Sequence, residues 1–177
     1  MKINDFELDL NVGSAPFFQT NGDKRVRFLM DTFADNPGLL KKVYKYLIDI
    51  NDDMNCSFIS GYMFKDRKQF EYGNIGRTIK ITNVKTCSYW NNDLDAFVTF
   101  STVTNVASAD VHHYLKQSMR GFQHDLHICF YNKDFLIYVT TDVMDLISTK
   151  RIIAGVKQDF ASFIDRRYEV LLTRSSG

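Results

Sequence analysis

Proline and glycine are scarce in this chain of 177 residues, which contains two prolines and nine glycines. Flexible linkers and low-complexity segments are usually rich in these residues, and the sequence has neither, nor an internal repeat. No shift in composition marks a domain boundary. We therefore expect a single domain over residues 1–177, long enough to bury most of its apolar surface.

An excess of charge of one sign is also missing, because 22 basic residues face 21 acidic ones and leave a formal charge of +1. A net field that attracts nucleic acid or an anionic membrane is thereby excluded, and binding either would require a local patch. No apolar run approaches the roughly 18 to 20 residues of a membrane span. Charges interrupt the N-terminal stretch MKINDFELDL, where a signal peptide needs an apolar core. We expect a soluble protein with no membrane partner that is not secreted by this route.

Cysteine is rare as well. Cys56, Cys87 and Cys129 form an odd set without CxxC spacing, and each lies in a predicted strand. The disulfide framework of a small secreted domain uses an even number of cysteines in an oxidising compartment. We therefore expect reduced, structural thiols and a cytoplasmic location, or a place in the virion if the protein is viral.

Signature motifs of the common enzyme classes are missing from the sequence. It has no phosphate-binding glycine-rich loop, no GxGxxG after a strand, no GxSxG and no HExxH. The carboxylate pairs Asp93 with Asp95 and Asp142 with Asp145 lie where turns and helix starts favour aspartate for local hydrogen bonding. We predict no cofactor, no metal and no catalytic residue, and a protein without enzymatic activity is favoured.

Aromatic side chains, in contrast, are abundant. Apolar residues make up 45 % of the chain and aromatic residues 14 %, with fifteen Phe and nine Tyr. These rings exceed what the core of an isolated domain of this size needs. Some of them are therefore expected at an interface with another protein chain.

Hydrophobic periodicity predicts an α+β fold, with two or three amphipathic helices packed on a mostly antiparallel sheet. Helices are predicted over 37–50 with Asn36 as N-cap, over 108–119 with Gly121 ending the helix, and over about 149–166. Strands are predicted over 4–11 and 24–30, in an antiparallel meander between 56 and 105 whose third strand spans 77–90, in a hairpin of 125–131 with 135–141, and over 168–173. The segment 135–139 is apolar on both faces, which is typical of a central strand covered on both sides.

The first two predicted strands carry complementary charges. Residues 4–11 alternate between acidic and apolar side chains, and residues 24–30 alternate between basic and apolar ones. Opposite charges that face each other across two strands help to set partner and register. We therefore expect these strands to pair across the loop 13–23.

All four histidines lie between residues 112 and 127, namely His112, His113, His124 and His127. His112 and His113 are neighbours on a helix and cannot bind one ion, because helical ligand pairs are three or four residues apart. If the strand alternation starts at Gln123, the odd separation of His124 and His127 puts these two on opposite faces. A metal-dependent hydrolase site could still form where His112 meets His124, and we keep it as an alternative to surface histidines, which are favoured.

A basic and aromatic segment covers residues 64–77 around a GxxG turn. It contains Lys65, Arg67, Lys68 and Arg77 between the rings Phe64, Phe70 and Tyr72. Basic side chains bind phosphates and aromatic rings stack on unpaired bases, so binding of single-stranded nucleic acid is a second alternative. A solvated hairpin edge protected by Lys and Arg explains the same residues and is favoured.

The one tryptophan, Trp90, follows Tyr89 just before a predicted turn at 91–93. Large rings at the end of a hairpin either cover the core or bind a partner, since Trp and Tyr are frequent in interface hot spots. The candidate binding residues are Lys65, Arg67, Lys68, Arg77, Tyr89 and Trp90.

Contact with other protein chains is the function that the sequence favours. We expect either a structural subunit of a homo-oligomer or a small partner-binding or inhibitory protein. Richness in Asn, Asp, Phe and Tyr with little Pro is typical of phage-encoded and AT-rich bacterial proteins, such as a virion joining or tail component. Nucleic-acid binding through residues 64–77 and metal-dependent hydrolysis at His112 and His124 are the alternatives.

Overall fold

The computed structural model of the chain describes residues 1–47, 53–71, 75–121 and 128–168. The described helices are α1 (Pro16–Gln19), α2 (Met30–Asp35), α3 (Leu39–Leu47), α4 (Ser108–Met119) and α5 (Lys150–Asp159). The described strands are β1 (Lys2–Ile3), β2 (Leu8–Asp9), β3 (Arg25–Leu29), β4 (Met54–Met63), β5 (Lys68–Phe70), β6 (Val84–Asn91), β7 (Ala96–Val106), β8 (Ile128–Tyr131), β9 (Phe135–Val139) and β10 (Val143–Ser148). Short 3-10 helices lie at Asn4–Phe6, Gly22–Lys24 and Ile75–Arg77.

One large antiparallel sheet organises these elements. Its strand order is β3-β10-β9-β8-β4-β7-β6, with β5 paired to β4, while β1 and β2 form a separate two-stranded ribbon. Helices pack on this sheet, so the predicted α+β fold is confirmed.

Helices α2 to α5 cover one face of the sheet and bury the larger core against it. Alternate residues of the strands point to this face, as expected for a sheet with one face on the core. The core includes Val26, Phe28, Cys56, Phe130, Ile137 and Leu146 from the strands, and Phe33, Val43, Tyr114, Leu115, Ile153 and Val156 from the helices. We call this the helix side of the sheet.

The N-terminal segment covers part of the opposite face, which we call the N-terminal side. Ile3 and Leu8 pack there against Cys129, Leu136 and Tyr138 in a smaller core. Strand β9 therefore has a core on each face, and all its side chains are buried. The prediction that this strand is central and covered on both sides is confirmed.

The expected pairing of the first two predicted strands is wrong. Residues 4–11 form a 3-10 helix and the short β2, which pairs with β1, and Glu7 turns the chain with a left-handed φ of 56°. Strand β3 pairs instead with β10, where Arg27 lies opposite Asp145. Arg27 on the basic face of β3 is thus paired with the Asp145 carboxylate of β10, a strand that the periodicity did not predict.

The predicted meander between residues 56 and 105 also needs correction. Strand β4 pairs with β7 along its length and with β5 at its end, and β6 pairs with β7. The order in space is therefore β5-β4-β7-β6, and the predicted third strand begins at Val84 instead of residue 77. Ile75 and Ile79 are buried in the helix-side core and hold the segment before β6 on that side of the sheet.

The helices differ from their predicted bounds mainly at the ends. Gly38, with φ of 88°, separates α3 from α2, a helix that was not predicted. Helix α4 has the predicted bounds, and Gly121 follows it with φ of 72°. Helix α5 ends at Asp159, and Ile164 instead bridges to Phe28 of β3. The predicted strand 168–173 lies, apart from its first residue, outside the described residues.

Candidate functional site

The basic residues at 65–68 lie at the tip of the β4–β5 hairpin, where each has a local structural environment. Lys65 Nζ is 3.8 Å from Asp95 Oδ2, and both side chains are largely exposed. The Arg67 guanidinium lies over the Phe64 ring at 5.4 Å from its centroid. Lys68 is exposed on β5. The Asp95 carboxylate therefore offsets part of the positive charge at this tip, which reduces its field toward a phosphate.

Arg77 belongs to a different element from the hairpin tip. It ends the 3-10 helix Ile75–Arg77, which Ile75 and Ile79 anchor in the helix-side core. The predicted set of binding residues is thus divided among the β4–β5 hairpin, this 3-10 helix and strand β6.

Tyr89 and Trp90 are consecutive residues of β6 and point to opposite faces of the sheet. The Trp90 ring packs edge-on against Phe97 with ring centroids 5.2 Å apart, and Tyr89 packs against Phe100 at 6.2 Å. Trp90 keeps 43 % of its surface exposed and Tyr89 keeps 40 %. Both rings therefore rest on β7 and present a free face to solvent.

Strand β6 itself is the most exposed long element among the described residues. Every residue from 80 to 90 is exposed, and the first buried position is Asn91. Val84 is 54 % exposed although it is apolar and lies within the strand. In the part of the chain that the structure describes, the strand pairs with β7 alone and no element covers either of its faces, so it is the edge strand of the described sheet.

The hydrogen-bond pattern identifies which groups of β6 point away from the sheet. The Thr104 N–H donates to the Asn83 carbonyl at 3.3 Å, which makes Asn83 and Thr104 a hydrogen-bonded pair just before the strand. Such pairs alternate with non-bonded pairs along an antiparallel ladder. The backbone N–H and C=O groups of Val84, Thr86, Ser88 and Trp90 therefore point outward.

Asn11 marks the far end of this open edge. Its Nδ2 donates to the Trp90 carbonyl at 2.8 Å, and the Asn91 Nδ2 donates to the Asn11 carbonyl at 2.8 Å. The loop after β2 is thereby fixed to the end of β6, and the open edge extends from Val84 to the N–H of Trp90, whose carbonyl already accepts from Asn11.

The other end of the strand order, at β3, is closed by the chain itself. The Asp165 N–H donates to the Arg27 carbonyl at 2.9 Å, and Ile164 forms a β-bridge with Phe28. Arg27 is only 7 % exposed and binds Asp145 through Nε at 2.6 Å and Nη2 at 2.8 Å. Burial alone would lower the pKa of Arg27, but the hydrogen bonds and charge of Asp145 outweigh burial and raise it.

Aromatic rings complete this closure on the N-terminal side. The Phe17 ring of α1 lies 4.0 Å from the Arg25 guanidinium and 4.2 Å from that of Arg27, and Arg25 also donates to the Phe17 carbonyl. Tyr168 contacts Arg27 from the other end of the chain. Guanidinium groups stacked on rings are held in place without exposure to water.

The histidines do not form a site within the described residues. His112 packs against Tyr44 with ring centroids 5.1 Å apart, and burial, together with Lys116 and Lys41, lowers its pKa. His113 is exposed and contacts Gln117 on its own helix. No group of three potential metal ligands occurs in the part of the chain that the structure describes. His124 and His127 lie outside that part, so the predicted meeting of His112 with His124 stays a prediction.

A shallow cleft lies on the N-terminal side, between the loop after β2 and the ends of β6 and β7. Its volume is about 270 Å³, and Leu10, Asp93, Leu94, Val98 and Phe100 are among its lining residues. It is mainly apolar and contains no group of side chains arranged for acid–base or nucleophilic chemistry.

One carboxylate of each pair noted in the sequence has a basic partner. Asp95 pairs with Lys65, and Asp145 is fully buried against Arg27. No described helix is long and apolar enough to cross a membrane.

The sequence interpretation identified Tyr89 and Trp90 but missed the outward positions between Val84 and Ser88. A meander would have paired this strand on both sides, so the exposure of β6 followed from a strand order that local patterns do not determine. The alternation of hydroxyl and apolar residues before the turn at 91–93 was the available signal.

Comparison with protein-family models, with curated proteins and with solved structures gives no match in any of the three.

Proposed function

We propose that this protein is an assembly subunit whose function is contact with other protein chains, made by adding a strand to the outer side of β6. The observation that carries the proposal is that β6 is an edge strand exposed on both faces, with outward backbone groups from Val84 to Trp90. A partner strand that pairs with this edge satisfies those groups and covers the exposed rings beside them.

The protection that proteins usually give to an edge strand is weak here. Common protective features are proline, several charges, a bulge or a very short strand. Strand β6 contains no proline and one charge, Lys85, and its register with β7 runs without a shift from Val84↔Val103 to Asn91↔Ala96. Such a regular and nearly uncharged edge is suited to pairing with another strand.

Exposed rings add side-chain contacts to this backbone edge. Trp90 on the helix side and Tyr89 on the N-terminal side each rest on a ring of β7, which fixes their orientation before a partner arrives. Rings that are already ordered lose less side-chain entropy when a partner binds. Trp and Tyr also often dominate interface energies.

Nucleic-acid binding has less support, because Arg77 lies on a different element from the three cations of the β4–β5 hairpin and Lys65 is paired with Asp95. Metal-dependent hydrolysis has less support as well, because His112 packs against Tyr44 in the described structure.

Ser88→Pro tests the proposal directly. The N–H of Ser88 points outward, so proline removes a donor that a partner strand needs while the ladder between β6 and β7 keeps its hydrogen bonds. Wild-type protein should give a discrete mass above 20.6 kDa in size-exclusion chromatography with light scattering, and Ser88→Pro should return it to the monomer mass.

Thr82→Pro is the matched control, because Thr82 is exposed and precedes the strand. It should keep the wild-type mass, and far-UV circular dichroism should show the same fold for all three proteins. A monomeric wild type, a polydisperse aggregate, or an assembly that survives Ser88→Pro would contradict the proposal.

A further inference from the structure

We infer that the partner of β6 is the β6 strand of a second copy, paired antiparallel about a two-fold axis that passes beside Cys87. This inference rests on the proposed function and adds the identity of the partner and the register to it. It comes from the sequence of the open edge, whose side chains match their own reversed order.

A two-fold contact between identical strands makes every pairing reciprocal. With the axis at Cys87, Val84 lies opposite Trp90 of the second copy, and Thr86 lies opposite Ser88. Val84 and Trp90 are the two exposed apolar residues at the ends of the open edge, 54 % and 43 % exposed. The register therefore covers both with an apolar partner and places hydroxyl groups together between them.

The N-terminal face of the same strand gives a compatible set of contacts. In this register Lys85 lies opposite Tyr89 of the second copy, and the two Cys87 residues face each other across the axis. A lysine beside an aromatic ring is favourable, whereas two lysines opposite each other would repel. In this register Lys85, the one charged residue of the strand, therefore does not lie opposite Lys85 of the second copy.

The backbone of β6 fits this register too. Val84, Thr86, Ser88 and Trp90 carry the outward groups, and the register pairs them only with one another. Cys87 then occupies a non-hydrogen-bonded position, where opposite Cα atoms are about 4.5 Å apart. The Trp90 carbonyl already accepts from Asn11. A carbonyl oxygen has two lone pairs, so it can accept a second bond from the other copy.

Neighbouring registers fit less well. An axis at Thr86 places Trp90 opposite Thr82, which precedes the strand. An axis at Ser88 places Lys85 opposite Asn91, which is only 8 % exposed and whose side chain is bonded to Asn11. Each shift shortens the ladder and separates Val84 from Trp90.

Disulfide formation at Cys87 tests the register in the full-length wild-type chain. The expected Cα separation falls within the range of about 4.4 to 6.8 Å that a disulfide spans. Cys56 and Cys129 are buried and Cys87 is exposed, so oxidation reports on Cys87. Diamide is a suitable oxidant, since it accepts the two electrons and two protons that two thiols release when the S–S bond forms.

We expect diamide to convert the wild type to a covalent dimer on a non-reducing gel, and Cys87→Ser to give none. Ser88→Pro keeps the thiol but removes the pairing, so its rate of dimer formation should fall by about tenfold or more. In the Cys87→Ser background, Thr86→Cys and Ser88→Cys should each cross-link more slowly than Cys87 does in the wild type, since neither lies on the axis.

Each outcome separates this inference from the proposed function. Faster cross-linking at position 86 or 88, or none at Cys87 in a protein that is dimeric by light scattering, overturns the register and leaves assembly through β6 standing. A monomeric wild type overturns both. An unchanged rate in Ser88→Pro would mean that the thiols meet by random collision, and this result also overturns the inference.

Discussion

At one end of the sheet β3 is buried on both faces, whereas at the other end β6 is exposed on both. Composition alone would suggest the reverse. The buried strand β3 contains two arginines, whereas the exposed strand β6 contains a single charge beside Val84, Tyr89 and Trp90. Exposure here follows from what the rest of the chain places beside each strand. The N-terminal segment and residues 164–165 close β3, and among the described residues nothing comparable covers β6.

The difference separates two roles within one sheet. The arginines of β3 form internal bonds with Asp145, the Phe17 carbonyl and aromatic rings, so that edge contributes to the stability of the monomer. The exposed residues of β6 contribute little to the core, so that edge is available for contact with other chains. Substitutions at β3 should therefore change unfolding, and substitutions at β6 should change association.

The largest effect should come from Asp145→Ala at the closed edge. Removal of the carboxylate leaves the buried Arg27 guanidinium without its bidentate partner, which costs about 3–5 kcal/mol in comparable buried pairs. Urea unfolding followed by far-UV circular dichroism measures the loss, and the Ser88→Pro background keeps assembly from adding to stability.

Lys65→Ala is the control for this change, because it breaks an exposed ion pair and should cost less than about 1 kcal/mol. The double change Arg27→Met with Asp145→Leu should recover much of the stability, since it removes both buried charges. A loss below about 1 kcal/mol for Asp145→Ala would show that β3 does not depend on the ion pair.

An intermediate effect is expected for Trp90→Ala at the open edge. The ring is about half exposed, so the free energy of unfolding of the monomer should fall by only about 1 to 1.5 kcal/mol. Association should weaken by about tenfold or more, as for a hot-spot ring, when measured by sedimentation over a dilution series.

Phe70→Ala is the control for Trp90→Ala. It removes another exposed aromatic ring, 62 % exposed on β5 and away from β6, and should leave association unchanged. Equal weakening by both substitutions would point to a contact that is not centred on β6.

The smallest effect concerns Asp165, which helps to close β3. Hydrogen bonds from Arg167 lower the pKa of this carboxyl, outweighing burial, which would raise it. A carboxyl with a lowered folded pKa stabilises the fold above its ordinary pKa of about 4 and loses this contribution as the pH falls through the folded value. At neutral pH the free energy of unfolding of the wild type should therefore be higher than that of Asp165→Asn by up to about 1 kcal/mol.

This difference should vanish in acid, and unfolding curves of both proteins at several pH values would measure it. A difference that stays constant with pH would exclude the carboxylate as its source. Self-association should not follow this titration, because Asp165 lies at the other end of the sheet.

Local sequence patterns were sufficient to predict the elements whose burial follows a regular spacing of apolar residues. The apolar stripe of α4 and the glycine after it gave correct bounds, and the continuous apolar run of β9 gave its burial on both faces. The turn between β8 and β9 was also predicted correctly, because the side chain of Asn132 accepts hydrogen bonds from backbone groups two and three residues later.

Features that depend on distant partners were beyond these patterns. Asp145 was interpreted as an aspartate favoured by a turn or a helix start, since nothing near it in sequence shows that Arg27 lies opposite it. The open edge was missed in the same way: strand character was visible at residues 84–90, but its place at the end of the sheet depends on β7 pairing with β4.

The pairing of β3 with β10 also has a consequence for the order in which the fold forms. Arg27 and Asp145 are 118 positions apart in the chain, whereas β6 and β7 are joined by a short turn. Local hairpins form within microseconds, but contacts across long loops come later and, during synthesis, must wait for the distal segment. The strand proposed to pair with other chains should therefore be complete while the opposite edge is still open, which makes nascent chains at high local density prone to pair before they finish folding.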